Sequence, residues 1–316
     1  MTSTATAPAR SSRIGLLQVC VAGVLWGTGG LVAALLHDDD GLGAMTTSAW
    51  RMLIAAIALT GFALVVRRHR AVVATLRRRP VLVVVVGCGT AAYQGLYFLA
   101  VLAVGVSVAT VVSLGLAPVL AAAWEHARAR TRPTTREAGV LAAALTGLVL
   151  VSTASAGHGG PGDQPLVGLV LAIASGATFA ATTVLGHHLA RDIDPVALTT
   201  CATSAGAVLL APFLLVAAVG SGPVAPQRTE GWLLLVYLGV ATMALSYGLL
   251  YAGLRTTSGS AATVATLVEP LSAAALAAVL LDERLTATAL VGGALILAAV
   301  VGLRPRPPDV ATSTPP

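Results

Sequence analysis

Near the end of the chain, residues 258–304 read SGSAATVATLVEPLSAAALAAVLLDERLTATALVGGALILAAVVGLR. An apolar run is interrupted by Glu269-Pro270, a short charged loop follows at Asp282-Glu283-Arg284, and a second apolar run has about the length needed to cross a bilayer. A weaker copy lies in the first half: ATVVSLGLAP (109–118) matches ATVATLVEP (262–270) with one residue inserted. Thirteen residues beyond each proline comes TRPT (131–134) in the first copy and ERLT (283–286) in the second. Each is followed by an Ala/Leu/Val/Gly helix. The chain is therefore an internal repeat whose unit is built from membrane segments.

Composition agrees. Charged residues make up 10% of the 316, apolar residues 56%, and the mean hydropathy is +0.87. A soluble domain carries roughly 25% charged residues, so this chain could not cover its surface against water. A transmembrane barrel would alternate apolar and polar residues instead. The net charge of +6 reads as an orientation signal rather than a nucleic-acid footprint. Cys20, Cys88 and Cys201 fall inside apolar segments without paired spacing, which indicates neither a disulfide frame nor a metal site. There is no phosphate-cradling glycine loop, nucleophile elbow or zinc spacing.

Apolar runs of roughly 17 to 26 residues recur ten times, at 14–36, 43–66, 80–104, 105–126, 137–153, 166–186, 195–220, 231–254, 258–281 and 287–304. With the N-terminus inside, the cytoplasmic segments collect sixteen arginines: Arg10, Arg13, Arg67, Arg68, Arg70, Arg77, Arg78, Arg79, Arg128, Arg130, Arg132, Arg136, Arg191, Arg255, Arg304 and Arg306. The outer loops hold only Arg228 and Arg284, beside the acidic Asp38-Asp39-Asp40. Both termini should therefore be cytoplasmic. Five helices per half is odd, so the second half enters the membrane upside down. The expected fold is an all-α integral membrane protein of ten transmembrane helices in two inverted five-helix repeats. Its parts are a tail 1–13, a first repeat 14–153, a Gly/Pro-rich linker 154–165, a second repeat 166–304 and a tail 305–316. At the starts of the halves AGVLW (22–26) faces SGATF (175–179).

The ordered set Trp26-Gly27, Arg51, Tyr97-Phe98-Leu99-Ala100 and Pro118, with Tyr251-Ala252, Pro270, Glu283-Arg284-Leu285-Thr286 and Gly292-Gly293-Ala294-Leu295, resembles the EamA-type family of the drug/metabolite transporter superfamily. The likeness covers nearly the whole chain, although no single motif in it is strong. Two departures stand out. Thr131 occupies a place where family members often keep a Glu, and Ala202 occupies the place that corresponds to Arg51. The resemblance implies export of small metabolites, with amino acids or similar solutes as the class.

Charged side chains within a span are costly, by about 2.5–3.5 kcal/mol on insertion scales, and need a partner, a wet cavity or a function. Glu269 lies midway along the ninth span, where desolvation penalises the charged form. It reads either as a proton carrier or cation site, or as a structural carboxyl bonded to neighbouring helices. Arg51, a third of the way into the second span, reads as a carboxylate or phosphate anchor, as a cation snorkelling to Asp38–Asp40, or as a helix brace. Trp26, Tyr93, Gln94, Tyr97, Tyr247 and Tyr251 concentrate aromatic and polar groups in corresponding helices. Tyr93/Tyr97 and Tyr247/Tyr251 are each i,i+4 pairs sharing one helix face. They read as a cavity wall or as packing. Pro118 and Pro270 are expected to break their helices where a substrate site would lie. Glu125 and Trp124 read as interfacial, with Glu125 paired to an arginine. Gly23 and Gly27 read as a packing seat, and His187-His188 as interfacial rather than metal-binding.

The expected substrate-binding set is thus Trp26, Arg51, Tyr97, Tyr251 and Glu269, in a multi-pass carrier of the plasma or inner membrane that works by alternating access. Small solutes, protons and the bilayer are the expected partners, with a homodimer left open and no cofactor or nucleic acid. An integral-membrane enzyme acting on lipid would need clustered His, Asp or Glu at one interface, which the chain does not offer. A channel or a non-transporting membrane partner protein is the remaining alternative.

Overall fold

The computed structural model of the chain describes residues 7–104, 106–154, 165–220, 222–280 and 286–303, and every regular element among them is helical. The first half comprises α1 (Ala7–Asp40), α2 (Ala44–Val65), α3 (His69–Arg78), α4 (Pro80–Val104), α5 (Val106–Ala129) and α6 (Thr135–Ala154). The second comprises α7 (Pro165–Asp192), α8 (Pro195–Val219), α9 (Thr229–Gly239), a π-helical turn (Val240–Leu245), α10 (Ser246–Leu254), α11 (Gly259–Ala265), α12 (Val268–Leu280) and α13 (Ala287–Gly302). Among the described residues nine helical spans are long and apolar enough to cross a membrane, and α13 is a shorter apolar helix. The expected charged loop around Glu283 and Arg284, most of the linker, residues 1–6 of the first tail and the whole of the tail 305–316 lie outside the described residues.

The ends of these helices follow from local chemistry. Gly41, at φ +68°, takes the left-handed conformation that stops α1, with its N–H donating to His37 O at 2.9 Å and that of Leu42 to Leu36 O at 3.4 Å. Asp194 caps α8 by accepting from the N–H groups of Val196 and Ala197 at 3.1 and 3.2 Å, with Pro195 as the first helical residue. The repeated threonines have the same task in both halves. Thr134 and Glu137 form a capping box at the start of α6, and Thr286 accepts from Ala289 N at 3.2 Å at the start of α13.

Two features differ from expectation. The arginine-rich stretch after α2 contains a helix, α3, which its ten residues were too few and too basic to announce. And α5 runs unbroken through Pro118. A single proline forfeits one backbone bond, which a long packed helix survives. In the second half the chain does interrupt, at Thr266–Leu267. There Leu267 N–H donates to Val264 O at 3.1 Å and Glu269 N–H to Thr266 O at 2.9 Å. The side chains of Thr263 and Thr266 donate to carbonyls three residues back, both at 2.9 Å, competing with the regular ladder. Pro270 then falls in the first turn of α12, where its missing N–H is not needed.

The two halves exchange partners. Helix α1 packs on α10, α11 and α12, while α7 packs on the corresponding α4 and α5; α2 meets α8, and α6 meets α13. The correspondence extends to single contacts. A Cβ built on Gly23 would lie 3.3 Å from Thr266 O, and one on Gly176 2.5 Å from Ser113 O, both pairs being equivalent in the repeat. Where α6 crosses α13 the approach is reciprocal: a Cβ on Gly147 would lie 2.6 Å from Gly292 O, and one on Gly292 2.8 Å from Gly147 O.

Because both neighbours in that crossing are backbone, neither can yield. Gly292→Ala is expected to lower stability by about 1–3 kcal/mol, read as a lower unfolding temperature of detergent-solubilised protein. Gly61→Ala in α2, where a Cβ meets nothing within 4 Å, should leave it unchanged or slightly higher.

Candidate functional site

At the centre of the bundle an aromatic chain crosses from one half to the other. Trp26 of α1 packs on Tyr247 of α10, ring centroids 5.1 Å apart, and Phe179 of α7 packs on Tyr93 of α4 at 4.9 Å. These are the same contact made twice, because Phe179 occupies the place of Trp26. The hydroxyls of Tyr93 and Tyr247 are hydrogen-bonded to each other at 3.1 Å, joining the two copies where the halves meet. One turn along each helix the second tyrosine finds a threonine. The Tyr97 hydroxyl pairs with Thr110 Oγ1 at 2.7 Å, and that of Tyr251 with the side chain of Thr90.

Two charges break this symmetry. Arg51 enters from α2 and Glu269 from the start of α12, each partly buried. Their repeat counterparts, Ala202 and Ala117, are buried alanines. Arg51 donates from Nη2 to Met243 Sδ at 2.9 Å, a weak acceptor presented by the π-helical turn. Its Nε is buried and without a hydrogen-bond partner among the described residues. Arg51 and Glu269 act on each other electrostatically and both act on Tyr93, yet no ion pair within 4.0 Å joins them. The cluster therefore holds a guanidinium with donors to spare, a carboxyl set apart from it, and ring faces around both.

Glu269 is placed by a glycine seat. A Cβ on Gly27 would overlap Ser272 Oγ and lie 2.5 Å from Glu269 O, so α1 can reach the interruption before α12 only because Gly27 has no side chain.

All five residues expected at the site are in or beside this cluster, and Pro270 lies next to it. Tyr251 is its deepest tyrosine, 2% exposed, whereas its counterpart Tyr97 is partly exposed. Gln94 turns back on its own helix, its amide reaching Thr90 O at 3.4 Å. The acidic stretch after α1 meets Arg228 rather than Arg51, at 2.9 Å from Asp39 and 3.8 Å from Asp40. Glu125 departs from its expected arginine partner. It accepts from Ser260 N–H at 2.9 Å and from Ser260 Oγ at 2.5 Å, at the N-terminus of α11, where backbone N–H groups are unpaired and a carboxylate is favoured. His187 donates from Nδ1 to Leu254 O at 2.7 Å, and no cluster of three or more potential metal ligands occurs among the described residues.

Phe179, Met243, Thr90 and Thr110 were not singled out as site residues. Phe179 was legible from its alignment with Trp26. Met243 carried no signal, being one apolar residue in an apolar run whose π-helical turn has no sequence mark.

The model of the EamA-like transporter family matches residues 13–153 and again 166–304. The chain belongs to that family. The two matches are the two repeats described above. Among curated relatives, the uncharacterized transporter YwfM of Bacillus subtilis is 28% identical over 288 residues, covering 89% of this chain and 90% of its own length. The uncharacterized inner membrane transporter YicL of Salmonella typhimurium is 26% identical, covering 92% and 95%. A solved crystal structure with 21% identity superposes with a TM-score of 0.76 over 91% of this chain and 95% of its own, which supports the fold. This EamA-like chain is thus a multi-pass membrane protein of a transporter family, with a charged aromatic cluster where its repeats meet.

The tyrosine bridge can be tested by a double-mutant cycle. Tyr93→Phe and Tyr247→Phe should each cost about 1 kcal/mol, and the double variant should cost less than their sum by about 0.5–1.5 kcal/mol, since either change already removes the shared bond. Reversible unfolding of the four proteins in detergent provides the measurement.

Proposed function

We propose that this protein is a secondary transporter that exports small solutes bearing both an anionic and a cationic group, amino acids or related molecules, by alternating access. The observation that supports this reading most directly is Arg51. It is a cation inside a span with an unpartnered Nε and a sulfur as its acceptor, close to but not paired with Glu269. A cation in such surroundings costs several kcal/mol unless an anion visits it. A solute carboxylate would take the free donors of Arg51 in bidentate fashion. The solute's cationic group would face Glu269 and the ring faces of Trp26 and Tyr97.

Glu269 gives the carrier a means of coupling. Occupied by a proton it is neutral, and emptied of it the carboxylate attracts a cation, so a proton and a substrate ammonium would compete for one group. Odd-numbered repeats with exchanged packing suit a cycle in which the two halves trade conformations around a fixed site. Both termini would face the cytoplasm, as the arginine distribution indicates.

Currents from purified protein in proteoliposomes, across a panel of amino acids, amines and organic acids with and without a pH gradient, test the proposal. Arg51→Gln is expected to weaken the response to carboxylate-bearing solutes on the order of tenfold or more. Glu269→Gln is expected to leave a response that no longer follows the pH gradient. Coupling that persists in Glu269→Gln would reduce Glu269 to a packing residue. Folded wild type that moves nothing on the panel would favour a non-transporting partner protein.

A further inference from the structure

At the end of the bundle where α7 stops and α3 passes into α4, a cavity of about 290 Å³ is lined by Arg79, Leu82, Leu185, His188, Leu189, Arg191, Asp192 and Ile193. It stands apart from the central cluster. Two guanidinium groups, one carboxylate and the imidazole of His188 line it. Neither arginine is committed elsewhere: among the described residues Arg79 and Arg191 form no ion pair, whereas the nearby Arg68 is taken by Asp194 at 3.1 Å. The remaining walls are apolar, so the cavity has a cationic rim and a hydrocarbon floor.

Its setting is the edge of the bilayer. Helix α3 seats Val72 and Thr75 against the bundle while Val73 and Leu76 remain 47% and 44% exposed among Arg70, Arg77 and Arg78. Exposed apolar side chains between arginines mark a helix lying in the headgroup layer. From Arg79 the chain enters α4, whose Val81, Val84 and Val85 share one exposed apolar face next to the lining residue Leu82.

We propose that this cavity binds the headgroup of an anionic membrane phospholipid. The phosphodiester lies between Arg79 and Arg191, the glycerol backbone rests on Leu82, Leu185 and Leu189, and an acyl chain follows the valine face of α4. Two guanidinium groups against one carboxylate leave the cavity net positive and favour a headgroup that keeps a net negative charge, which selects phosphatidylglycerol over the zwitterionic phosphatidylethanolamine. The site is independent of the solute reading and would hold for any function of the protein.

Native mass spectrometry of the full chain in detergent tests this, with phosphatidylglycerol, phosphatidylethanolamine and phosphatidylcholine of equal acyl chains, and soluble glycerol phosphate as a fourth arm. Wild type is expected to retain phosphatidylglycerol in preference to the other three. Each of Arg79→Gln and Arg191→Gln should weaken retention about fivefold and the pair multiplicatively, while the paired substitution of Arg77 and Arg78 by Gln leaves it unchanged. If the Arg79/Arg191 double variant does not fold, the single variants and the wild-type lipid preference decide the question. Equal retention of the three lipids, equal loss in the Arg77/Arg78 control, or binding of glycerol phosphate as strong as that of the lipid would each overturn the proposal.

Discussion

Hydrocarbon gives an apolar side chain no reason to leave lipid for protein, so helices in this chain are held by contact itself. Where two backbones can touch, dispersion and polar contacts accumulate over many atoms; where a side chain intervenes, they do not. Gly27 on α1, Gly147 on α6, Gly176 on α7 and Gly292 on α13 are therefore structural in the strict sense, since each marks a place where a neighbouring carbonyl occupies the volume of a Cβ. The central cluster depends on them. Arg51, Glu269 and the tyrosines come from four different helices and converge only because those helices approach this closely. The interruption before α12 is accessible to α1 for the same reason.

Duplication explains the architecture, and departures from it explain the site. The aromatic contacts between the halves and the threonine caps each occur twice, whereas the threonines that meet Tyr97 and Tyr251 both come from the first half. The two charges occur once each, in different halves, with buried alanines in the mirrored places. A symmetric ancestor with four charges there would have placed like charges near one another in low dielectric, at considerable cost. One cation and one carboxyl, set apart, are the less costly arrangement.

Much of this was legible in the sequence. Span length is imposed by bilayer thickness, so the apolar runs mark the helices closely, and the ATVVSLGLAP/ATVATLVEP match locates the equivalent contacts Ser113 and Thr266. Arg51 and Glu269 stand out because a charge in a span is costly. What escaped was structure with no compositional cost. The π-helical turn that presents Met243 is an apolar segment like any other. The capping role of Glu125 depends on a distant helix N-terminus, which one-dimensional spacing does not reveal. Pro118 misled because proline weakens a helix without dictating that it breaks; in the second half the interruption lies upstream, where threonine hydroxyls compete for the carbonyls.

The exchange of partners between halves has a consequence for how the protein is made. The most extensive helix–helix contacts, α4 with α7, α6 with α13, α2 with α8, α5 with α7, α4 with α8 and α1 with α10, all join one half to the other, while α1 and α2 touch each other little. A nascent first half would lie in the bilayer with Gly23, Gly27 and Gly147 facing lipid and Tyr93 without Tyr247, and would be completed only when the second half emerged from the ribosome. The halves are duplicates in sequence but not modules in folding. Expressed as two separate polypeptides, each would be an incomplete object, and only their meeting in one membrane would restore the native bundle.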